Sequence, residues 1–349
     1  MTHRERILRT FEFQETDHAP CDLMEGSVWH ELMEDFRTRH GCRTETDVQD
    51  VLDTDCRWIR MVNPNRVVPL IPHSRAVAGG PLTDATSVAE IEAYAWPDPA
   101  QWQPADCAGF RQTWPDHALV FMPGWRPLFW ATCEVFGVEA ALMNLAAEPD
   151  LFECAVQCIH DRYMDRLTRG LATARSHCDI CLLGDDFASQ ESMMLSPDHW
   201  RRYIKPRLAE QVALVRQHDL RVLYHSCGAV RPVLGDLLDI GVHGLLVFQT
   251  QAAGMDPESI ARDFGGRLVF YGGMDVQHLL SFGSEAEVVA EVRRNLRAFS
   301  RCGGYIVANA HHGVGTIKGS NLEIMCHAAR NSKVLLGSEV INPDPEPQR

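Results

Sequence analysis

At 349 residues, with 45% hydrophobic and 23% charged side chains, the chain has the composition of a globular protein large enough for one barrel-sized core or two ordinary ones, which excludes a disordered or fibrous polymer. A formal charge of -14 and arginines scattered along helices leave no basic footprint for nucleic acid. The start, Met1-Thr2-His3-Arg4-Glu5-Arg6, lacks the apolar core of a signal peptide, and no run approaches the ~20 apolar residues that span a bilayer, so a soluble, cytoplasmic protein with no membrane partner is expected.

In chain order, the first half supplies three strand-like runs, Ala19 to Leu23, Cys56 to Ile59 and Leu119 to Phe121. Between the second and third, the proline- and glycine-containing segment Asn63 to Ala100 reads as an excursion over the fold rather than a linker between domains. From Asp179 onward β-rich runs alternate regularly with amphipathic helices: Ile180 to Leu183, Arg221 to Tyr224, Gly244 to Phe248, Arg267 to Tyr271, and Tyr305 to Ala308. Ser196-Pro197 and Asp256-Pro257 each place a capping side chain before a proline suited to the first helical position. Pro206 should kink the helix that begins near Pro197. Ser284-Glu285-Ala286-Glu287 is a capping box; Val288, Val292, Leu296 and Phe299 then share one face, and Gly303 stands where that helix should stop.

Eight strand-like runs are the number that closes a barrel, and no glycine-rich phosphate loop supports the doubly wound alternative. The predicted fold is therefore α/β, a (β/α)8 TIM barrel with an irregular N-terminal excursion, as a single domain over residues 1–340 with a flexible tail at 341–349. The 12 cysteines lie mostly inside apolar segments and are expected to be reduced. Cys154 with Cys158, and Cys178-Asp179-Ile180-Cys181, have ligand-like spacing, but no second pair follows at a zinc-ribbon distance.

Barrel chemistry collects where strands end. After the successive strands stand Glu25, then Trp125 and Arg126, Asp185 and Asp186, His225 and Cys227, Gln249 and Gln251, Asp275, Gln277 and His278, and finally Asn309, His311 and His312. In His225-Ser226-Cys227-Gly228 an imidazole and a thiolate two residues apart can face one cation, with Gly228 freeing the turn. Alone, the pair reads rather as a core cysteine beside a histidine bonded to a carbonyl. His311 strengthens the metal reading, because the mouths of the fifth and eighth strands face across one opening; His225, Cys227 and His311 would give three ligands and an open fourth position, the catalytic pattern for zinc. His312 is the alternative third ligand, and His278 reads as structural. Trp125, Phe129 and Trp130 could wall an aromatic pocket or belong to the core.

His225-Ser226-Cys227-Gly228, Gly184-Asp185-Asp186-Phe187, Tyr271-Gly272-Gly273-Met274-Asp275 and Gly303-Gly304-Tyr305-Ile306 together resemble the uroporphyrinogen decarboxylase superfamily, and within it the corrinoid-dependent methyltransferases, including methylcobamide:coenzyme M methyltransferases. The resemblance runs from about Arg4 to about Leu336 and is strongest after Asp179. It implies a (β/α)8 barrel and a catalytic zinc held by a histidine and a cysteine, matching His225 and Cys227, and by a distant cysteine whose place His311 takes here. An imidazole in place of a thiolate leaves the ion more positive, which suits polarising a methoxy oxygen better than holding a thiolate nucleophile. That departure from the family's pattern points to O-demethylation of a small methylated molecule onto a corrinoid carrier rather than methylation of a thiol, while the resemblance implies a corrinoid protein as partner; a homodimer is compatible with it.

On that reading Glu25 or Asp186 is an exchangeable fourth ligand, an acid for the leaving oxygen, or else a helix N-cap. Trp125, Asp185, Gln249, Asp275, Gln277 and Asn309 are candidate substrate contacts, with structural bonding at the barrel end as their alternative. The runner-up is a decarboxylase, for which Asp55 would match the catalytic aspartate; against it, Met24-Glu25-Gly26-Ser27-Val28-Trp29 carries no arginine for substrate carboxylates. A third reading is a non-catalytic barrel that binds a tetrapyrrole or corrinoid, or a closed structural zinc site.

Overall fold

The computed structural model describes residues 1–24, 26–63, 79–124, 128–312 and 316–332. Among these, seven parallel strands lie in sequence order, each hydrogen-bonded to the next: β1 (Cys56–Arg60), β2 (Ala118–Met122), β3 (Ile180–Gly184), β4 (Arg221–His225), β5 (Gly244–Phe248), β6 (Val269–Met274) and β7 (Tyr305–Asn309). Each is short, and all but β1, whose Arg60 is exposed, are almost wholly buried, as expected of parallel strands covered on both faces. Seven of the eight runs expected from sequence therefore form strands, within two residues of the expected limits at nearly every end.

The eighth run, Ala19 to Leu23, closes the ring between β7 and β1. Val307 N–H donates to Pro20 O and Asp22 N–H to Val307 O, each at 3.0 Å, while on the other side Asp55 N–H donates to Cys21 O at 2.9 Å. Its pairing is a single parallel bridge, Cys21 with Val307, rather than a full ladder. Pro20 has no N–H with which to extend it.

Alternation along the strands separates two apolar clusters. Val120, Ile180, Leu182, Leu223, Leu246, Val269, Tyr271 and Ile306 fill the inside of the ring, where Ile7 and Phe11 of the helix His3–Phe11 join them. Leu119, Phe121, Leu183, Val222, Leu245, Phe270 and Val307 face outward against the helical layer, which contributes Phe152, Leu167, Leu208, Ile260, Val288 and Leu322. The N-terminal end of the barrel is tied by charge: Asp179, just ahead of β3, pairs with Arg4 at 2.8 Å and Arg111 at 2.6 Å. Asp55 belongs to this same end, immediately before β1, where it accepts from His3, Arg6 and the backbone N–H of Cys21. The match of Asp55 to a decarboxylase's catalytic aspartate is thereby corrected, since strand direction puts it at the opposite end from the mouth.

Local signals behave as their chemistry dictates. Asp256 caps Pro257–Phe264 and Ser284 forms the capping box of Glu285–Phe299. Gly303, in the left-handed region at φ 66°, returns its N–H to Phe299 O at 2.8 Å. Ahead of Pro206 the chain forms a π turn, Trp200–Ile204, in which Lys205 N–H reaches back to Trp200 O; the widened turn accommodates the hydrogen bond that proline cannot make. Val62 pairs with Gln103 across the β1–β2 excursion, whose described part packs on the long helix Pro149–Ala174, with Arg162 over Trp96 and Arg166 over Trp102. All twelve cysteines stand outside disulfides. The tail proposed at 341–349 lies outside the described residues.

Candidate metal centre at the barrel mouth

The site begins with the inward parity of β4. Leu223 faces the inner core, so His225, two residues on, faces the same way at the strand's C-terminal end and is 2% exposed. The chain then turns through Ser226, Cys227 and Gly228. At Gly228 φ is +82°, and a Cβ there would stand 2.2 Å from the carbonyl oxygen of Ser189, so the turn requires glycine on both counts. Cys227 is half-buried and packs on the inner core from above.

Neighbouring β3 ends in two acids with different surroundings. Asp185 is fully buried; its oxygens accept from the backbone N–H groups of Phe129 at 2.6 Å and Trp130 at 2.8 Å, at the start of the helix Phe129–Phe136. Burial pushes its carboxyl up to about 7, against the opposing pull of those amides. With Asp185 so engaged, Asp186 faces the mouth. Its Oδ1 accepts from Cys227 N–H at 3.2 Å and stands 3.4 Å from His225 Nε2, while His225 Nε2 stands 3.5 Å from Cys227 Sγ.

Asp186, His225 and Cys227 thus offer one oxygen, one nitrogen and one sulfur, all within 4.8 Å of one another, the one such group of three or more among the described residues. Two ligands on one tetrahedral ion, at ordinary zinc bond lengths, stand roughly 3.3–3.6 Å apart. The observed 3.4 and 3.5 Å fall in that interval. The donor set therefore fits a borderline first-row ion such as zinc.

His311 lies outside this trio but lines the same cavity as Cys227, a space of about 210 Å³ bordered also by Gln249, Thr250, Gln251, Asp275 and Gln277. Asn309 holds the approach to His311: it donates to Ser27 Oγ at 2.7 Å and His311 O at 2.6 Å, and accepts from Met24 N–H at 3.0 Å. His311 Nδ1 is 3.3 Å from His312 O, whereas the ring of His312 lies against Gly26.

The remaining sequence candidates separate by environment. Asp275 lines the cavity, yet its oxygens accept from the N–H groups of Gln277, His278 and Leu279, a cap on the short helix Leu279–Phe282. His278 is exposed, and Phe129 and Trp130 are buried. Glu25, Trp125 and Arg126 lie outside the described residues.

Two features were not anticipated. Gln190, on the hairpin closed by the Ala188–Met193 bridge, lines the cavity and donates to Gln249 Oε1 at 2.8 Å; nothing local in the sequence marks it. Inside the ring, fully buried Asp22 accepts from Tyr271 Oη and from Trp58 Nε1 at 3.1 Å, and burial pushes its carboxyl up to about 7. An aspartate inside the apolar run Ala19 to Leu23 was the available signal.

A family model described as uroporphyrinogen decarboxylase (URO-D) matches residues 132–332, more than half of the chain. Among solved structures, a methyltransferase from Methanosarcina mazei is similar at 16% identity and a TM-score of 0.67, over 94% of this chain and 98% of that one. The IOLI protein with a binding zinc atom is similar at 9% identity and a TM-score of 0.40, over 82% and 91% of the respective chains, too distant to add to the fold assignment. A comparison with curated proteins finds no match.

Proposed function

The chain belongs to the uroporphyrinogen decarboxylase family, and from that premise we propose that it is a metal-dependent methyltransferase. On this reading it moves a methyl group between a small, methoxylated substrate and a corrinoid carried by a partner protein. The observation that supports the proposal is the spacing of Asp186 Oδ1, His225 Nε2 and Cys227 Sγ as ligands of one ion beside a cavity. The similarity in fold to a methyltransferase points the same way.

When bound, the ion would polarise the oxygen from which the methyl departs. Asp186 and Cys227 supply two anionic donors, and His225 a neutral one. A carboxylate oxygen is a harder donor than a second thiolate and leaves such an ion more attractive to oxygen. His311, which lines the same cavity as Cys227, would on this reading serve as a further ligand on substrate arrival or exchange a proton with the leaving oxygen. The cavity walls align the substrate, which is the protein's main task in a displacement reaction.

The family name favours decarboxylation as a second reading. A polycarboxylate needs cationic partners, and among the described residues neither lysine nor arginine borders this cavity, whereas Asp275 does. Incubation of the metal-loaded protein with a reduced corrinoid protein and a panel of methoxylated compounds tests the proposal by formation of methyl-corrinoid. Carbon dioxide released from a porphyrinogen, without methyl transfer, would favour the second reading.

A further inference from the structure

The Ser226–Gly228 turn is held from outside the barrel strand that carries it. Ala229 N–H donates to Ser189 O at 2.8 Å, and Ala253 N–H to Gln190 O at 2.8 Å, so the hairpin around Gln190 bridges the ends of β4 and β5. Gln249, one residue beyond β5, completes the clamp. Its Oε1 accepts from Gly228 N–H at 2.7 Å and from Gln190 Nε2 at 2.8 Å. An amide oxygen has two lone pairs, and both are used.

Those two donors fix which way the Gln249 amide faces, because the flipped amide would set its NH2 against the N–H of Gly228. The Nε2 group is then what Gln249 offers to the cavity it lines, and no acceptor for it is present among the described residues. A donor beside a cavity that, among the described residues, has no lysine or arginine suits a neutral molecule carrying a lone-pair oxygen. It opposes a methylated ammonium, which has no lone pair to accept with.

We propose that Gln249 has two roles: through Oε1 it positions the turn bearing Cys227, and through Nε2 it selects an oxygen-bearing, uncharged substrate over a cationic amine. This rests on reading the cavity as the substrate site. Glutamate at 249 keeps an acceptor for Gly228 and Gln190 but has no donor, while methionine keeps the shape and loses both.

Wild type, Gln249→Glu and Gln249→Met are loaded with cobalt(II) as full-length protein. The thiolate-to-cobalt absorption band then reports the Cys227 turn, and calorimetric titration with methanol, 2-methoxyphenol and trimethylammonium chloride reports selection. Wild type should bind at least one oxygen probe and prefer it to trimethylammonium. Gln249→Glu should keep the band and weaken oxygen-probe binding at least tenfold, and Gln249→Met should lose both. The proposal is overturned if no oxygen probe binds wild type, if Gln249→Glu binds within twofold of wild type, or if Gln249→Met leaves the band unchanged. Since no turnover is required, selective binding without methyl transfer would remove the proposed function and leave this inference standing.

Discussion

Oδ1 of Asp186 lies 3.4 Å from Nε2 of His225, although the two residues end adjacent strands and are 39 positions apart in the chain. That proximity follows from the parallel register, in which Gly184 pairs with His225, so the residue two beyond the end of β3 reaches the last residue of β4. It makes Asp186 a ligand candidate in the same sense as His225 and Cys227. Asp186→Ala should therefore weaken zinc binding by more than the roughly 10–100-fold typical of an outer-shell partner. Competition with a chromophoric chelator measures this; an affinity within threefold of wild type would remove Asp186 from the set.

Gly228→Ala should be costly at the metal rather than merely in stability. The left-handed backbone and the contact of 2.2 Å with Ser189 O force the turn to shift, and with it Cys227. A cost of about 1–3 kcal/mol in unfolding free energy is expected, together with loss of stoichiometric zinc. Denaturant titration and metal analysis read the two effects, and full zinc content in the variant would contradict the role of the turn.

Much of this was legible in the sequence, for identifiable reasons. The strands show as short apolar runs because parallel strands are buried on both faces, and His225-Ser226-Cys227-Gly228 announces itself because all its parts are consecutive. Ring closure by residues 20–22 was legible as a strand but not as a single bridge, since bridging depends on Val307 far along the chain. Asp185 and Asp186 are adjacent acids in sequence; what separates them is the helix start at Phe129, 56 residues upstream. Gln190 was invisible because its importance comes from Gln249 across the hairpin. Pro206 marks a kink in the sequence, but whether the turn ahead of it tightens or widens is not legible from the proline alone.

Asp185→Ala should cost about 2 kcal/mol in stability, because two buried backbone N–H groups at Phe129 and Trp130 lose their acceptor. It should also lower metal affinity by freeing Asp186 to reorient. Asp185→Asn, which keeps one acceptor oxygen, should recover part of the stability. Equal unfolding midpoints for wild type and Asp185→Ala would contradict the capping role.

Asp22 and Asp185 bear on pH in the same direction. Each carboxyl titrates at about 7 in the folded chain, above its ordinary 3.8, so the folded state holds protons that the unfolded state releases between those values. Their contribution to stability is fully present below pH 3.8 and declines as pH rises, until above about 7 the buried charges count against folding. Asp22→Asn should remove part of this slope, so its stability relative to wild type should improve from pH 5 and level off above about pH 7. Urea unfolding across that range tests it, and a difference independent of pH would show that Asp22 does not titrate there.

The central claim is that one ion is held by oxygen, nitrogen and sulfur from Asp186, His225 and Cys227. An anomalous-difference map at the zinc edge, from crystals grown with zinc, addresses it most directly. The account predicts one strong peak at bonding distance from Nε2 of His225, Sγ of Cys227 and a carboxylate oxygen of Asp186, with a remaining position open towards the cavity that His311 lines. A mouth without a peak at saturating zinc, or a peak bound by neither His225 nor Cys227, would contradict it.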